Sequence, residues 1–373
     1  MRIVDSEQLR SLLETSGATG QRPPIFLYGA GNTGKNVCQS LSRRGIDITA
    51  FLDQHAAGQL WHGRPVLQPD SPDISPAVRE QSVTLVCVFN PDADVLGIVG
   101  RLETLGYGCA ATFPHVHAVL ESDLGDCLWL TKTSFLAEQQ TRIADCRALW
   151  ADETSRDLYD ALLKFRSSGD YTDLPLPDTK NQYFPPDIPA WKTPLRFVDC
   201  GAYDGDTLDQ AGCVTGKVAA IAAFEPDAGS FGKLTAFVRA NAAALPAETA
   251  LWPCGVWSHT TQLSFSGGGL EGSCLLTDGS GYSVSCVALD DVIPLFRPNL
   301  IKMDVEGAEY EALWGARRLI QESRPGLAIC LYHRPAHLWQ IPLLLKEWDL
   351  GYRFFLRLHG YSGFETVLYA VSE

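Results

Sequence analysis

FVDCGAYDGDT, residues Phe197 to Thr207, decides how this chain is read. An apolar run beginning at Leu195 predicts a β-strand that ends in Asp199 and a turn holding two glycines, Gly201 and Gly205. Asp204 and Asp206 follow, so three carboxylates crowd one glycine turn. In an open parallel sheet ligands bind beyond the carboxyl ends of the strands, where such a turn falls. Gly201 lets the chain turn back sharply and lets a ligand approach the backbone. A phosphate would call for backbone N–H donors and a cation. Three acids call instead for a ligand with a cationic part and hydroxyl groups.

S-adenosylmethionine has that chemistry: an ammonium, a sulfonium and a ribose diol, with no phosphate. The next strand supports it. AAFEPD places Glu225 at a strand end about one βαβ unit on, where an acid can accept both ribose hydroxyls. Glu225 alone would serve NAD equally well, and the acidity of the first turn favours the methyl donor. Further strands are read in ALWPCGVW, LIKMDV and LAICLYH, with helices between and a β-rich insertion, QLSFSGGG to SVSCVALDD. GYRFFLRLHGYSGFETVLYAV predicts a closing antiparallel hairpin around HGYSG. Strands alternating with helices imply a parallel sheet, so the fold class is α/β.

FVDCGAYDGDT, AFEPD, VALDDVI, LIKMDVEGAEYEALWGARRLI and LYHRPAHLWQIP, in that order, resemble the FkbM family of S-adenosylmethionine-dependent methyltransferases over residues 180–370. The resemblance implies a class I methyltransferase sheet and an enzyme that usually methylates a hydroxyl, often on a sugar or natural product. It implies that Asp199, Gly201 and Glu225 are cofactor residues; Tyr203, Asp204, Thr207 and Pro226 lie in the same two turns and join them as candidates. It also places Asp304 and Glu306 beside the reacting methyl. His333 closes the fifth strand at the same rim and is taken as the base, with Asp304 or Glu306 orienting it or the substrate. Asp290, Asp291, Asp304 and Glu306 offer oxygen ligands, but Asp290 and Asp291 are read as starting a helix, VIPLF, and no metal is expected. Lys302 is read as facing the connecting helices, and Tyr183 or Phe184 of NQYFPP as covering the sulfonium.

A second glycine turn lies in the N-terminal half. IFLYGAGNTGK sets Gly29, Gly31 and Gly34 in G-x-G-x-x-G spacing after a strand, with Asn32, Thr33 and Lys35 between and after them. Asp53 ends FLD about twenty residues on, which completes a dinucleotide fingerprint in a βαβ context. Asn36 stands where a P-loop needs a hydroxyl residue, which argues against nucleotide hydrolysis. Lys35 in a first helical turn opposes the helix dipole unless an anion meets it. Residues 24–113 also resemble the small Rossmann-like domains that precede sugar acyltransferases, which implies that this turn receives the phosphates of a nucleotide sugar.

The expected organisation is therefore a nucleotide- or nucleotide-sugar-binding Rossmann-like domain over 1–114, a helical connector and proline-rich loop over 115–190, and a methyltransferase domain over 191–373. The formal charge of −14 disfavours nucleic acid as a partner, and no apolar run suggests a membrane span. The 11 cysteines show no ligand spacing and read as small buried thiols of a cytoplasmic protein. A small-molecule substrate, a sugar or nucleotide sugar, is expected, and the helical connector leaves a homodimer open. The rival readings are a nicotinamide-dependent oxidoreductase working at GAGNTG and a non-catalytic ligand-binding protein.

Overall fold

Short apolar runs rich in branched and aromatic residues become strands here, and the amphipathic runs between them become helices. The computed structural model describes residues 1–14, 22–61, 63–266, 274–276 and 282–372. It divides into two compact units: Met1–Gln140 with Asp160–Leu176 and Gly360–Phe364, and Thr141–Tyr159 with Pro177–His359 and Glu365–Glu373. The helical stretch 115–176 is thus shared between the units, while the proline-rich run after it belongs to the second.

The first unit holds strands β1 (Arg2–Ile3), β2 (Ile25–Tyr28), β3 (Ala50–Leu52), β4 (Leu60–Trp61), β5 (Arg64–Leu67), β6 (Val83–Val86) and β7 (Cys109–Thr112). Their order is β1-β7-β6-β2-β3-β5-β4, parallel except where β4 meets β5. All of β2 is buried, as a strand covered on both faces must be. The helix Asn32–Arg43 leaves the glycine turn after β2 and leads to β3, the βαβ unit read from the sequence. It packs hard on that turn: a Cβ on Gly34 would lie 2.0 Å from the Gly29 carbonyl oxygen.

The second unit is built on β8 (Leu195–Cys200), β9 (Val218–Phe224) and β10 (Glu248–Trp252). A smaller sheet follows: β11 (Gly255–Val256), β12 (Thr261–Ser266), β13 (Cys274–Leu276) and β14 (Tyr282–Val287). It forms the β-rich insertion, of which 267–273 and 277–281 lie outside the described residues. The main sheet resumes with β15 (Leu300–Met303), β16 (Gly326–Cys330), β17 (Tyr352–Leu358) and β18 (Thr366–Ser372). ALWPCGVW, read as one strand, splits between two sheets at Pro253, which has no N–H to give a ladder. The helix expected at VIPLF is instead Leu289–Val292, stopping ahead of Pro294.

The main sheet runs β10-β9-β8-β15-β16-β18-β17, which is 3-2-1-4-5-7-6 when its strands are numbered in chain order. It is parallel up to β16; β18 and β17 add the antiparallel hairpin read from the sequence. This is the class I methyltransferase sheet. Its order reverses between β8 and β15, and crevices for ligands open at such a reversal. Register aligns the strand ends there: Cys200 pairs with Phe224 and with Met303, and Met303 with Ile329. The turns that carry Gly201, Glu225, Asp304 and His333 therefore leave one edge of the sheet.

Candidate active site

The two central turns meet backbone to backbone. Gly201 has φ +82°, and a Cβ there would sit 1.8 Å from the carbonyl oxygen of Asp304. Asp199 is fully buried, and the Lys302 ammonium lies 3.1 Å from its Oδ1. Lys302 also donates to the Gly201 carbonyl at 2.5 Å. Burial pushes the Asp199 carboxyl up to about 6 although Lys302 pulls it down. Lys302 does not face connecting helices: it is 3 % exposed and ties the end of β8 to that of β15. Asp199 accordingly acts from beneath the turn, while Asp204 is half-buried and Asp206 exposed above it.

Glu225 ends β9 and is almost buried. Its Oε2 accepts from the Tyr203 N–H at 2.9 Å and its Oε1 from the Asp227 N–H at 2.8 Å. It thus draws the acidic turn toward β9, with half-buried Pro226 beside it. Burial raises its carboxyl despite those donors. Tyr203 sits at φ +47° with its ring half exposed over the turn. Thr207 is buried in the first turn of the helix Asp206–Thr215, where its N–H and hydroxyl both donate to Asp206 Oδ1.

Across the reversal, Asp304, Glu306 and His333 come together as the sequence suggests. His333 Nε2 lies 3.5 Å from Asp304 Oδ1 and 3.4 Å from Glu306 Oε2. Glu306 has φ +55° and Gly307 φ +94°, a left-handed pair that folds the loop after β15 back on itself. The loop is tied by Glu309, whose Oε1 accepts from Val305 N–H at 3.0 Å and Gly307 N–H at 3.3 Å. The same oxygen meets His333 Nδ1 at 2.7 Å, and Oε2 lies 3.1 Å from His337 Nδ1. Burial lowers the His333 imidazole, but Glu309, Glu306 and Asp304 outweigh it and push it up to about 10. These carboxylates favour the protonated ring.

Tyr183 takes another place at the rim than expected, and Gln182, Glu309, Tyr332 and Glu365 were not singled out from the sequence. Tyr183 does not lie open over the cofactor turn; it is 5 % exposed, and its hydroxyl donates to Asp304 Oδ2 at 2.9 Å. The cation against its ring is the Lys302 ammonium, 5.1 Å from the centroid. Phe184 is buried beside it. Glu365, at φ +50°, takes hydrogen bonds from Gln182 and from Tyr332, the latter at 3.1 Å. Its burial, helped by Asp304, raises its carboxyl to about 7. Glu309 did leave a signal: three and four residues before Ala312 and Leu313, it puts an acid on an otherwise apolar helix face. Asp290 is occupied elsewhere, capping the helix Arg317–Ser323 through Arg318 N–H at 2.9 Å and Leu319 N–H at 2.7 Å.

In the first unit, Gly29 has φ +103° and the helix Asn32–Arg43 begins at Gly31 with no side-chain cap. Asn32 is exposed, and Thr33 and Lys35 are half-buried. Asp53 is committed to the turn: Oδ2 accepts from Ala30 N–H at 2.9 Å, and Oδ1 from His55 N–H at 2.8 Å and Ala56 N–H at 3.0 Å. Burial raises its carboxyl, but these donors outweigh that and hold it below its usual range. Asp53 braces the glycine turn through these three contacts.

A sheet of order 3-2-1-4-5-7-6 with an acid-rich switch point is the class I methyltransferase fold. Residues 199–362 match the family model described as the methyltransferase FkbM domain. The crystal structure of methyltransferase FkbM from Methylobacillus flagellatus KT superposes with a TM-score of 0.78 at 22 % identity, covering 99 % of this chain and 94 % of that one. That likeness is one of fold and extends over both units. None of the curated proteins matches the chain.

Proposed function

We propose that the second unit transfers the methyl group of S-adenosylmethionine to a hydroxyl of a sugar or nucleotide sugar. The observation that carries this reading is the acidic rim at the β8–β15 reversal, where Glu225 takes the Tyr203 N–H one turn from Gly201 and Asp304 and Glu306 face it from across the reversal. Such a rim suits a ligand that is cationic at one end and a diol at the other. When bound, the cofactor supplies an electrophilic methyl on sulfur. Glu225 and the Tyr203–Asp204 turn would hold its ribose and amino acid parts, and Asp199 with Lys302 keeps that turn in place. Asp304 and Glu306 present the carboxylates that orient the acceptor hydroxyl and take up its proton as the oxygen gains a methyl. His333, charged and pinned by Glu309, holds both acids toward one point. The nucleotide-sugar part of the reading is supported by the uncapped helix start beside Lys35 in the first unit.

No helix among the described residues is long and apolar enough to cross a membrane. Free thiols, buried for the most part, support a reducing cytoplasm as the compartment.

Calorimetry with S-adenosylmethionine tests the core of the proposal. Binding near −8 kcal/mol, roughly micromolar, is expected for the full chain. Glu225→Gln should weaken it by about 10- to 100-fold, the worth of a hydrogen bond to a charged group. A folded wild-type protein that gives no heat with this ligand overturns the reading.

A further inference from the structure

We propose that Asp304, Tyr332 and Glu365 form a proton relay, with Glu365 as the last acceptor for the proton that a methylated hydroxyl sheds. The use of the relay in catalysis rests on the methyl-transfer reading; its geometry does not. Carboxylate oxygens of Asp304 and Glu365 lie within 4.8 Å of one another, beside the Cys330 thiol. One hydroxyl stands between them: Tyr332 donates to Glu365 Oε1 at 3.1 Å and to Asp304 Oδ1 at 3.5 Å. Two consecutive residues hold the outer oxygens. Gln182 donates to Glu365 Oε2, and Tyr183 to Asp304 Oδ2 at 2.9 Å. Each acid thus keeps one oxygen anchored and turns the other to the same phenol. Glu365 holds its place at φ +50°, a left-handed conformation that is unfavourable for a residue with a Cβ and persists where the surroundings fix it.

The two acids are unequal, and the inequality gives the proton a direction. Asp304 receives the Tyr183 hydroxyl and stands 3.5 Å from the His333 ring, whose protonated form is favoured. Glu365 has neutral hydrogen-bond partners, the Gln182 amide and the shared phenol. A proton on Glu365 therefore disturbs fewer charged contacts than one on Asp304. Burial, with Asp304 beside it, raises the Glu365 carboxyl to about 7. Burial also pushes the Tyr183 and Tyr332 phenols and the Cys330 thiol well above their ordinary values, so these three stay neutral. The step balances. As the acceptor oxygen exchanges its hydrogen for the methyl, Asp304 takes the proton. Tyr332 then gives its hydroxyl proton to Glu365 and takes the one from Asp304. One proton has moved, the phenol is restored, and Glu365 ends as the neutral acid.

Carbon-13 NMR of the full chain, labelled at the glutamate carboxyl carbon, reads the relay without cofactor or acceptor. The Glu365 signal is identified by its absence from Glu365→Gln. It should titrate near neutrality, against about 4.3 for an ordinary glutamate. Asp304→Asn removes the like charge across the phenol and should lower that midpoint by about one pH unit, the mark of coupled groups. Tyr332→Phe removes a donor to the anion and should raise it. Circular dichroism checks the fold of each variant. Burial alone would leave the midpoint unmoved by Asp304→Asn; that result overturns the proposal, as does an unmoved midpoint in Tyr332→Phe. A wild-type protein in which no glutamate carbon titrates near neutrality overturns it with no variant at all. With a nucleotide sugar that accepts the methyl, Tyr332→Phe should lower kcat about 100-fold and leave KM in place, and an unchanged kcat denies the relay its use. Calorimetry with S-adenosylmethionine on the same samples keeps the two readings apart: coupled acids in a chain that binds no cofactor would sink the methyl-transfer reading alone.

Discussion

Lys302 governs the acidic turn more than any acid within it. An ammonium and a carboxylate, both nearly inaccessible, are stable only together: Asp199 without Lys302 would be a buried charge with no partner. Lys302→Met should therefore cost about 3–5 kcal/mol in urea unfolding. Lys302→Met combined with Asp199→Asn should recover much of that loss, because the uncompensated charge goes too. Equal losses in the single and double variants would show that the pair is uncoupled. His333 illustrates the same physics in reverse, with one imidazole against several carboxylates. Which ionic form it takes follows from its neighbours rather than from its own chemistry.

Turns after parallel strands are the functional elements of both units, yet they are braced differently. The turn after β8 is held by a lysine from β15 and by Glu225 from β9. The turn after β2 is held by Asp53, whose carboxylate serves Ala30, His55 and Ala56. A carboxyl held low in the folded state binds its proton less readily than in the unfolded chain. Its stabilisation is then present above the ordinary carboxyl range, about 3.9, and is lost as pH falls through the lower folded value. Wild type should exceed Asp53→Asn in stability at neutral pH, and the gap should narrow as pH falls below the ordinary carboxyl range, about 3.9. Hydrogen exchange at Ala30, His55 and Ala56 reads this directly. Parallel pH slopes for the two proteins would deny Asp53 the role.

At the scale of the molecule, the chain offers two parallel sheets, each with a glycine turn at a strand reversal. A ligand stabilises only the unit that holds it. S-adenosylmethionine at about 100 times its Kd should add about 2.7 kcal/mol to the unit containing Pro177–His359. Scanning calorimetry should show the transition of that unit rising in temperature while that of the first unit stays in place. A rise confined to the first unit would move the cofactor to the turn at Gly29.

Much of this was legible in the residues. Alternating strands and helices, the order of motifs from Phe197 to Pro342 and the closing hairpin follow from local periodicity and turn chemistry, which neighbours along the chain determine. A strand boundary was misplaced at Pro253 and a helix boundary at Pro294, each where a proline ends the element. The sequence by itself determined the α/β class, the match of residues 199–362 to the methyltransferase FkbM domain and the edge on which Asp304, Glu306 and His333 would meet. Only the tertiary structure decided what each charge does. Lys302 finds the Gly201 carbonyl 101 positions away, and Glu309 finds His333 across 24. Such partners are set by sheet register and by which face is buried, and no local period encodes either. The desolvation that makes these pairs matter exists only once the sheet has closed over them.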